Sequence, residues 1–200
     1  MPKAIPTDEQ IRALHERHAP SQEAFDLVHT HCVIVCAVAE QLLDAHGAGV
    51  NADLVRAGCL LHDIGVYRLY DAAGQLDHRF YIRHGVLGYD LLREAGRPEV
   101  LCRFCTHHTG VGLTGDDVLR QGLPLPPGDY LADTAEERLV MYADKFHSKS
   151  DPPTFVSAST YTGKVRRFGE DKAALFADMV AQYGEPDLAV LARRFGHALG

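Results

Sequence analysis

Apolar residues recur along most of the chain at three- and four-residue steps, the spacing that places them on one face of a helix. The alternation of apolar and polar residues that is typical of strands is hard to find. The longest stripe, between 25 and 43, contains Val28, Cys32, Val35, Val38, Ala39 and Leu42. The periodicity predicts helices over roughly 7–18, 21–46, 51–64, 81–95, 98–109, 134–149, 170–183 and 186–198. We therefore expect an all-α protein.

An adjacent His-Asp pair lies near the end of one predicted helix. Asn51 is placed to begin this helix and Gly65 to end it, so His62 and Asp63 fall on its last turn. The next helix but one is bounded by a proline and a glycine, which puts His107 and His108 at another helix C-terminal end.

Two irregular stretches interrupt the second half of the chain. Prolines and glycines over 122–128 indicate a loop, after which Asp133 or Thr134 can cap the helix that carries Asp144. A second stretch, 150–161, separates that helix from the C-terminal pair. We interpret it as a flap over a pocket.

Composition is that of an ordinary globular domain. With 200 residues, 46% apolar and 24% charged, the chain fits one domain over 1–200 and excludes disordered, coiled-coil and membrane classes. The first residues lack the apolar core of a signal peptide, and five cysteines in apolar stretches suit reduced thiols. These features predict a cytoplasmic protein that does not associate with membranes.

Charge and histidine content narrow the chemistry. The net charge of −7 argues against binding to a nucleic-acid polymer, which usually requires a basic patch. Twelve histidines are unusual for 200 residues, and several lie near acidic residues. Within its apolar surroundings the His62–Asp63 pair needs a partner. A divalent metal such as iron, manganese, zinc, cobalt or nickel would serve, and a helix-end ion pair is the alternative.

Four ordered blocks make the pattern more specific than a dipeptide. They are Thr30-His31-Cys32, Leu61-His62-Asp63-Ile64-Gly65, Gly110-Val111-Gly112-Leu113-Thr114 and Tyr142-Ala143-Asp144-Lys145. Together they resemble the HD-domain metal-dependent phosphohydrolase superfamily, and within it a small subfamily of His-Asp-Ile-Gly type. The resemblance implies a single helical bundle with a metal-binding core over about 25–150, against which C-terminal helices over about 165–198 pack.

The resemblance also implies a ligand set. The superfamily pattern maps onto His31, His62, Asp63 and Asp144 as ligands of one ion, and relatives with two ions add histidines that match His84 and His108. In such sites the Asp of the pair bridges both ions, which makes Asp63 catalytic, and a metal-bound hydroxide attacks the phosphate. Lys145, next to Asp144, is a second expected catalytic residue because it supplies positive charge to a phosphate.

Neighbouring histidines leave choices open. His31 matches the subfamily better than His29, and His108 keeps the spacing to the glycine turn better than His107, which we expect near a ligand or the substrate. His147 lies three residues after Asp144 and is interpreted as a non-ligand. The remaining histidines, expected at the surface, are His15, His18, His46, His78 and His197.

The expected substrate is a small phosphate ester, such as a nucleotide. Arg79, Arg83 and Lys149 could also meet a phosphate, although a solvated helix face explains Arg83 and Lys149 as well. The lysine that some two-metal relatives carry after the His-Asp pair is absent from Val66-Tyr67-Arg68, which weighs against a cyclic dinucleotide. Alternatives with the same ligands are a mixed-valent di-iron oxygenase and a non-catalytic module that binds a phosphorylated ligand. The oligomeric state stays open.

Overall fold

The computed structural model describes residues 5–46 and 49–200. Helices dominate this part of the chain, as the periodicity predicts. The α-helices are α1 (Asp8–His18), α2 (Gln22–His46), α3 (Ala52–Leu61), α4 (His84–Glu94), α5 (Glu99–Thr106), α6 (Gly115–Arg120), α7 (Ala135–Asp144), α8 (Ala158–Val165), α9 (Glu170–Tyr183) and α10 (Leu188–Phe195). Short 3-10 helices span Ile64–Leu69, His78–Arg83 and Arg166–Phe168.

Helix α2 is the centre of the bundle and packs against α3 and α7. The apolar stripe predicted from the sequence is its buried face, with Val28, Cys32, Val35 and Val38 fully buried. By length and hydropathy its segment Gln22–Ala45 is the one stretch of the described residues that could cross a membrane, but 56% of the apolar window is buried inside the protein. Its apolar character is therefore explained by the core of the bundle.

Close backbone contacts hold α4 and α5 beside the end of α3. Gly65 lies in the 3-10 helix that follows α3, and a Cβ at this position would lie 2.7 Å from the Cα of Gly88. A Cβ on Gly85 would lie 2.6 Å from the carbonyl oxygen of Cys105 in α5. The predicted role of Gly65 as a helix cap is wrong, because it is close packing, with no positive φ, that requires a glycine here.

A small sheet, absent from the predicted elements, joins the middle of the chain to its C-terminal end. Strands β1 (His147–Ser148), β2 (Thr154–Phe155) and β3 (Ala198–Leu199) lie in that order, with β2 antiparallel to β1 and parallel to β3. The predicted helix over 134–149 therefore ends early, at Asp144, because the residues after it turn into β1.

Side-chain caps fix several helix starts. Asn51 caps α3 as predicted, and Thr134 rather than Asp133 caps α7 in a reciprocal capping box with Glu137. The predicted irregular stretch over 150–161 contains β2 and the start of α8, and the short helix α6 was not predicted. Both departures concern elements of eight residues or fewer, in which periodicity is weak.

Buried polar pairs connect the outer helices to the core. His15 of α1 is fully buried, with Nε2 2.7 Å from the carbonyl oxygen of Leu60 and Nδ1 2.8 Å from the hydroxyl of Tyr67. Its predicted place at the surface is wrong, because these partners satisfy both ring nitrogens inside the protein. Lys172 of α9 donates a 2.6 Å hydrogen bond to buried Asp117 of α6, which ties the C-terminal helices to the bundle.

Candidate metal centre

Four helices and a turn converge on one cluster of histidines and aspartates. All of its histidines and Asp63 are buried, and 16% of the Asp144 side chain is exposed. Its members are His31 in the middle of α2, His62 and Asp63 at the end of α3, His84 at the first residue of α4, His108 just after α5 and Asp144 at the last residue of α7. The structure thus brings together all six residues named as ligands from the sequence.

One half of the cluster is formed by His31, His62 and Asp144. The Nε2 atoms of the two histidines are 3.3 Å apart, and Oδ1 of Asp144 is 3.0 Å from that of His31 and 3.4 Å from that of His62. Oδ2 of Asp63 completes this half, at 3.4 Å from Nε2 of His31 and 3.7 Å from that of His62.

The other half is formed by His84, His108 and the second oxygen of Asp63. Oδ1 of Asp63 is 3.4 Å from Nε2 of His84 and 3.5 Å from Nε2 of His108. Those two Nε2 atoms are 2.9 Å apart. The carboxylate of Asp63 therefore lies between the two halves and offers one oxygen to each.

Backbone carbonyls orient three of the four imidazoles. Nδ1 of His62 is 2.7 Å from the Cys59 carbonyl oxygen, that of His84 is 2.6 Å from Tyr81, and that of His108 is 2.9 Å from Phe104. A carbonyl can only accept, so each Nδ1 carries a hydrogen and each Nε2 faces the cluster, with a free lone pair wherever the ring is neutral.

The carboxylates of the cluster are ionised at neutral pH. Burial opposes their charge, but Lys149 and His62 outweigh it and hold the pKa of Asp63 well below its usual range. Lys145, together with His31 and His62, does the same to the pKa of Asp144. Two negative charges thus face the imidazoles inside the protein.

Three of the imidazoles are neutral at neutral pH. Burial, assisted by Lys149, lowers the pKa of His31 to about 4, and burial lowers the pKa of His84 to about 4 against the opposing effect of Asp63. Burial also lowers the pKa of His108. His62 differs, because Asp63 and Cys32 outweigh burial and raise its pKa well above the ordinary value.

The donor set fits divalent transition metals. Ligand atoms about 2.0–2.2 Å from one ion lie roughly 3–4 Å from one another, and the separations on each side of Asp63 are 2.9–3.7 Å. Imidazole nitrogens combined with carboxylate oxygens suit iron, manganese, zinc, cobalt or nickel. In two groups of three residues, the possible ligand atoms all lie within 4.8 Å of one another. The first group is His31, His62 and Asp144, and the second is His62, Asp63 and His108.

Two lysines lie against the carboxylates. Lys145 is buried and donates 2.7 Å hydrogen bonds to Oδ2 of Asp144 and to the His108 carbonyl oxygen. Lys149 forms an ion pair with Oδ2 of Asp63, and its ammonium lies 5.9 Å from the ring centroid of Tyr81. The helix-face interpretation of Lys149 is wrong because α7 ends before it, and 17% of its side chain is exposed.

Of each pair of neighbouring histidines, the structure places His31 and His108 in the cluster and the other residue outside it. His29 is half-buried, stacks on Phe25 and does not contact the cluster. His107 turns away, with Nδ1 2.9 Å from the Arg103 carbonyl oxygen and 2.7 Å from Thr106, so the structure does not place it beside a ligand.

The remaining histidines differ from one another. His78 is exposed and His18 half-buried, whereas the side chain of His46 lies outside the described residues. His147 is buried in β1 and contacts His31 through Nδ1 at 2.9 Å, and His197 contacts His147. Arg79 and Arg83 are exposed.

A cavity of about 650 Å³ borders Asp144 and both lysines. Its aromatic wall consists of Tyr70, Tyr81 and Tyr161. Residues 150 and 151 and Val156 also line it, as expected for the predicted flap. From the sequence, Lys149 was one of several candidate cations, because its contact with Asp63 depends on a turn that periodicity does not describe.

The five cysteines are free thiols buried in the described structure, as predicted. Cys102 and Cys105, the CxxC pair, lie in α5 among core residues. Burial raises the pKa of Cys105 well above its ordinary value, which is the condition of an unreactive packing thiol.

Sequence comparison identifies the class of protein. Residues 28–149, which carry all six residues of the cluster, match the model of the HD domain. The chain belongs to the HD domain family. The helical bundle and the resemblance recognised from the four sequence blocks agree with this assignment.

Curated relatives of the chain match it over part of their length. An uncharacterized protein of Methanocaldococcus jannaschii is 40% identical over 117 residues, which cover 57% of this chain and 62% of that protein. A tRNA (cytidine(56)-2'-O)-methyltransferase of Picrophilus torridus is 31% identical over 146 residues, which cover 73% of this chain and 38% of that protein. The chain thus spans less than two thirds of the length of each.

Solved structures share the fold. The HD domain of the phosphodiesterase PgpH from L. monocytogenes superimposes with a TM-score of 0.52 at 17% identity, over 94% of this chain and 99% of that domain. The same domain in complex with cyclic-di-AMP gives a TM-score of 0.50 at 18% identity, over 88% and 97%. At these identities the likeness concerns architecture.

Proposed function

We propose that the protein is a metal-dependent hydrolase that cleaves a phosphate ester of a small molecule at a centre of two divalent ions. The observation that carries this proposal is the position of Asp63, whose Oδ2 faces His31 and His62 while its Oδ1 faces His84 and His108. A carboxylate so divided is suited to bridging two ions. Two bound ions polarise a phosphoryl group and lower the pKa of an attacking water.

The charges around the cluster support an anionic substrate. Lys149 borders both Asp63 and the cavity, so its ammonium is within reach of a phosphate that enters from the cavity. The two hydrogen bonds of Lys145, to Asp144 and to the His108 carbonyl, hold one residue from each half of the cluster in place. A cationic wall of this kind suits an anionic group such as a phosphate.

A nucleotide is the substrate class that we propose. The cavity of about 650 Å³ is in the size range of small-molecule sites, and three tyrosines wall it beside the lysines. Such a wall can contact a base while the cations meet the phosphate. The structurally similar PgpH domain was crystallised with cyclic-di-AMP, a small nucleotide.

The proposal is tested by assaying purified protein, loaded with manganese or iron, on a panel of nucleoside monophosphates, cyclic nucleotides and other phosphate esters. We expect phosphate-ester turnover that Asp63→Asn abolishes and His107→Gln leaves unchanged. His107 is a matched control because it precedes His108 in the chain but bonds to Thr106 and the Arg103 carbonyl rather than to the cluster. Full turnover by Asp63→Asn would refute the site.

Two further measurements separate the alternatives. Oxygen consumption with iron, and none of this activity with manganese, would favour an oxygenase. Tight nucleotide binding without turnover under any metal would favour a binding module. Elemental analysis should give about two ions for the wild type and about one for His84→Ala and for His108→Ala.

A further inference from the structure

Nδ1 of His31, unlike that of the other three histidines of the cluster, contacts another imidazole. The Nδ1 atoms of His62, His84 and His108 lie against backbone carbonyls, which fix a hydrogen on Nδ1. Nδ1 of His31 lies 2.9 Å from Nδ1 of His147. An imidazole nitrogen can donate or accept, so the state of His31 depends on that of His147.

A third imidazole continues this contact toward solvent. Nε2 of His147 is 2.9 Å from Nδ1 of His197, and the two rings stack with centroids 5.1 Å apart at 20°. His31 is 1% exposed and His147 6%, whereas His197 is partly exposed. Three rings thus run from the metal cluster to the surface, and we call them the histidine row (His31, His147 and His197).

The small sheet holds the row together. His147 of β1 pairs with Phe155 of β2, which in turn pairs with Leu199 of β3. His197 immediately precedes β3, and the Phe155 ring packs against His147 with centroids 5.1 Å apart. His197 lies beyond the residues 28–149 that match the family model, so a C-terminal residue is connected to the cluster through His147.

In each of the two N–N contacts of the row, one nitrogen donates a hydrogen and the other accepts it. When Nε2 of His31 binds an ion, only one arrangement of these donors and acceptors is possible. A lone pair on Nε2 of His31 places its hydrogen on Nδ1, which donates to Nδ1 of His147. His147 then carries its hydrogen on Nε2 and donates to Nδ1 of His197. The outer ring keeps its own hydrogen on Nε2.

We propose that His147 and His197 are positioning residues that hold His31 in the orientation and tautomer required of a metal ligand. The inference rests on the metal site of the proposed function, but not on the reaction or the substrate. Outer hydrogen-bond partners of metal-binding histidines are typically worth about 10- to 100-fold in metal affinity.

The test compares zinc dissociation constants of full-length variants by competition with a chromophoric chelator. We expect His147→Leu to weaken the binding of an ion by roughly 10- to 100-fold, because His31 loses its acceptor. His147→Asn places an acceptor oxygen near the position of Nδ1 and should recover most of the affinity. His107→Leu, which removes a half-buried imidazole outside the row, should bind zinc as the wild type does.

His197→Ala provides a second variant with little risk to folding, since its ring is partly exposed. We expect a smaller loss of affinity than for His147→Leu. The tautomers can be read directly from two-bond ¹H–¹⁵N spectra of the zinc-loaded protein. His31 should carry its hydrogen on Nδ1, and His147 and His197 should carry theirs on Nε2.

Wild-type zinc affinity in folded His147→Leu, or a hydrogen on Nδ1 of His147 in the zinc-loaded protein, would overturn the inference while leaving the metal site intact. A wild-type protein that binds no zinc, manganese or iron would instead remove the metal site and the proposed function with it. Absence of hydrolysis with normal metal binding would leave the positioning role of the row standing.

Discussion

Replacing Gly65 with alanine tests the close backbone contact between Gly65 and helix α4 at the candidate metal centre. A Cβ at Gly65 would lie 2.7 Å from the Cα of Gly88, and closer still to the Gly88 nitrogen and the His84 carbonyl oxygen. All three atoms belong to the backbone of α4, so no side-chain rotation relieves the clash. Because α4 begins at His84, any movement of this helix also moves a proposed ligand.

The size of the effect follows from these distances. Non-bonded carbon atoms pack at about 3.5–4.0 Å, so the contact with the Gly88 Cα alone requires α4 to retreat by at least about 1 Å. Overpacking of this kind typically costs about 1–3 kcal/mol. We expect Gly65→Ala to lower the free energy of unfolding toward the upper end of that range and to weaken selectively the ion that His84 would hold.

Two measurements on the same variant check this prediction. Urea unfolding gives the loss of stability, and elemental analysis of the metal-loaded protein gives the number of ions, which should fall from about two to about one. Gly163→Ala in α8 is the matched control, because nothing lies within 4 Å of a Cβ there. It should stabilise the protein by about 0.4–1 kcal/mol. Wild-type stability together with two ions in Gly65→Ala would refute the packing argument.

Three further predictions concern His15, Lys149 and the bound metal. Burial lowers the pKa of His15 from 6.5 to about 4, so the unfolded chain binds a proton that the folded protein does not. The free energy of unfolding therefore falls by about 3 kcal/mol as the pH is lowered from 6.5 toward 4. The variant His15→Gln should show less of this pH dependence when urea unfolding is measured over the same range. Lys149→Met should raise KM for a phosphate ester about tenfold or more, measured by steady-state kinetics. Removing metal with a chelator should lower the free energy of unfolding by about 3 kcal/mol relative to protein at 100 times the metal Kd, measured by thermal melting.

Each of these has a contrary result. Parallel pH profiles for wild type and His15→Gln would show that burial does not suppress protonation of His15. Arg83→Met is the control for Lys149→Met because Arg83 is exposed, and equal KM values for the two variants would remove Lys149 from substrate binding. A melting temperature that chelation leaves unchanged would mean that metal binding is not coupled to folding.

Much of this molecule can be predicted from local sequence. The three- and four-residue period of α2 identifies a core helix because burial requires one apolar face. Asn51 before α3 supplies its cap. The His62–Asp63 pair in apolar surroundings indicates a need for compensation, and the resemblance of the four blocks to the HD superfamily implies the six-residue cluster, four of whose members lie in those blocks.

What the sequence left undetermined depends on contacts between distant parts of the chain. His15 looks like a surface residue until Leu60 and Tyr67 are seen to satisfy its two nitrogens. Lys149 contacts Asp63 across 86 residues, since α7 ends at Asp144 rather than continuing.

The sequence alone therefore determined the helical class and the family, because helix period and motif residues are properties of short segments. Only the tertiary structure decided that Asp63 divides its oxygens between two pairs of histidines, that Gly65 is required by packing, and that His197 contacts His147 behind His31. Each of these facts depends on how whole elements pack, and packing is specified jointly by residues far apart in the chain.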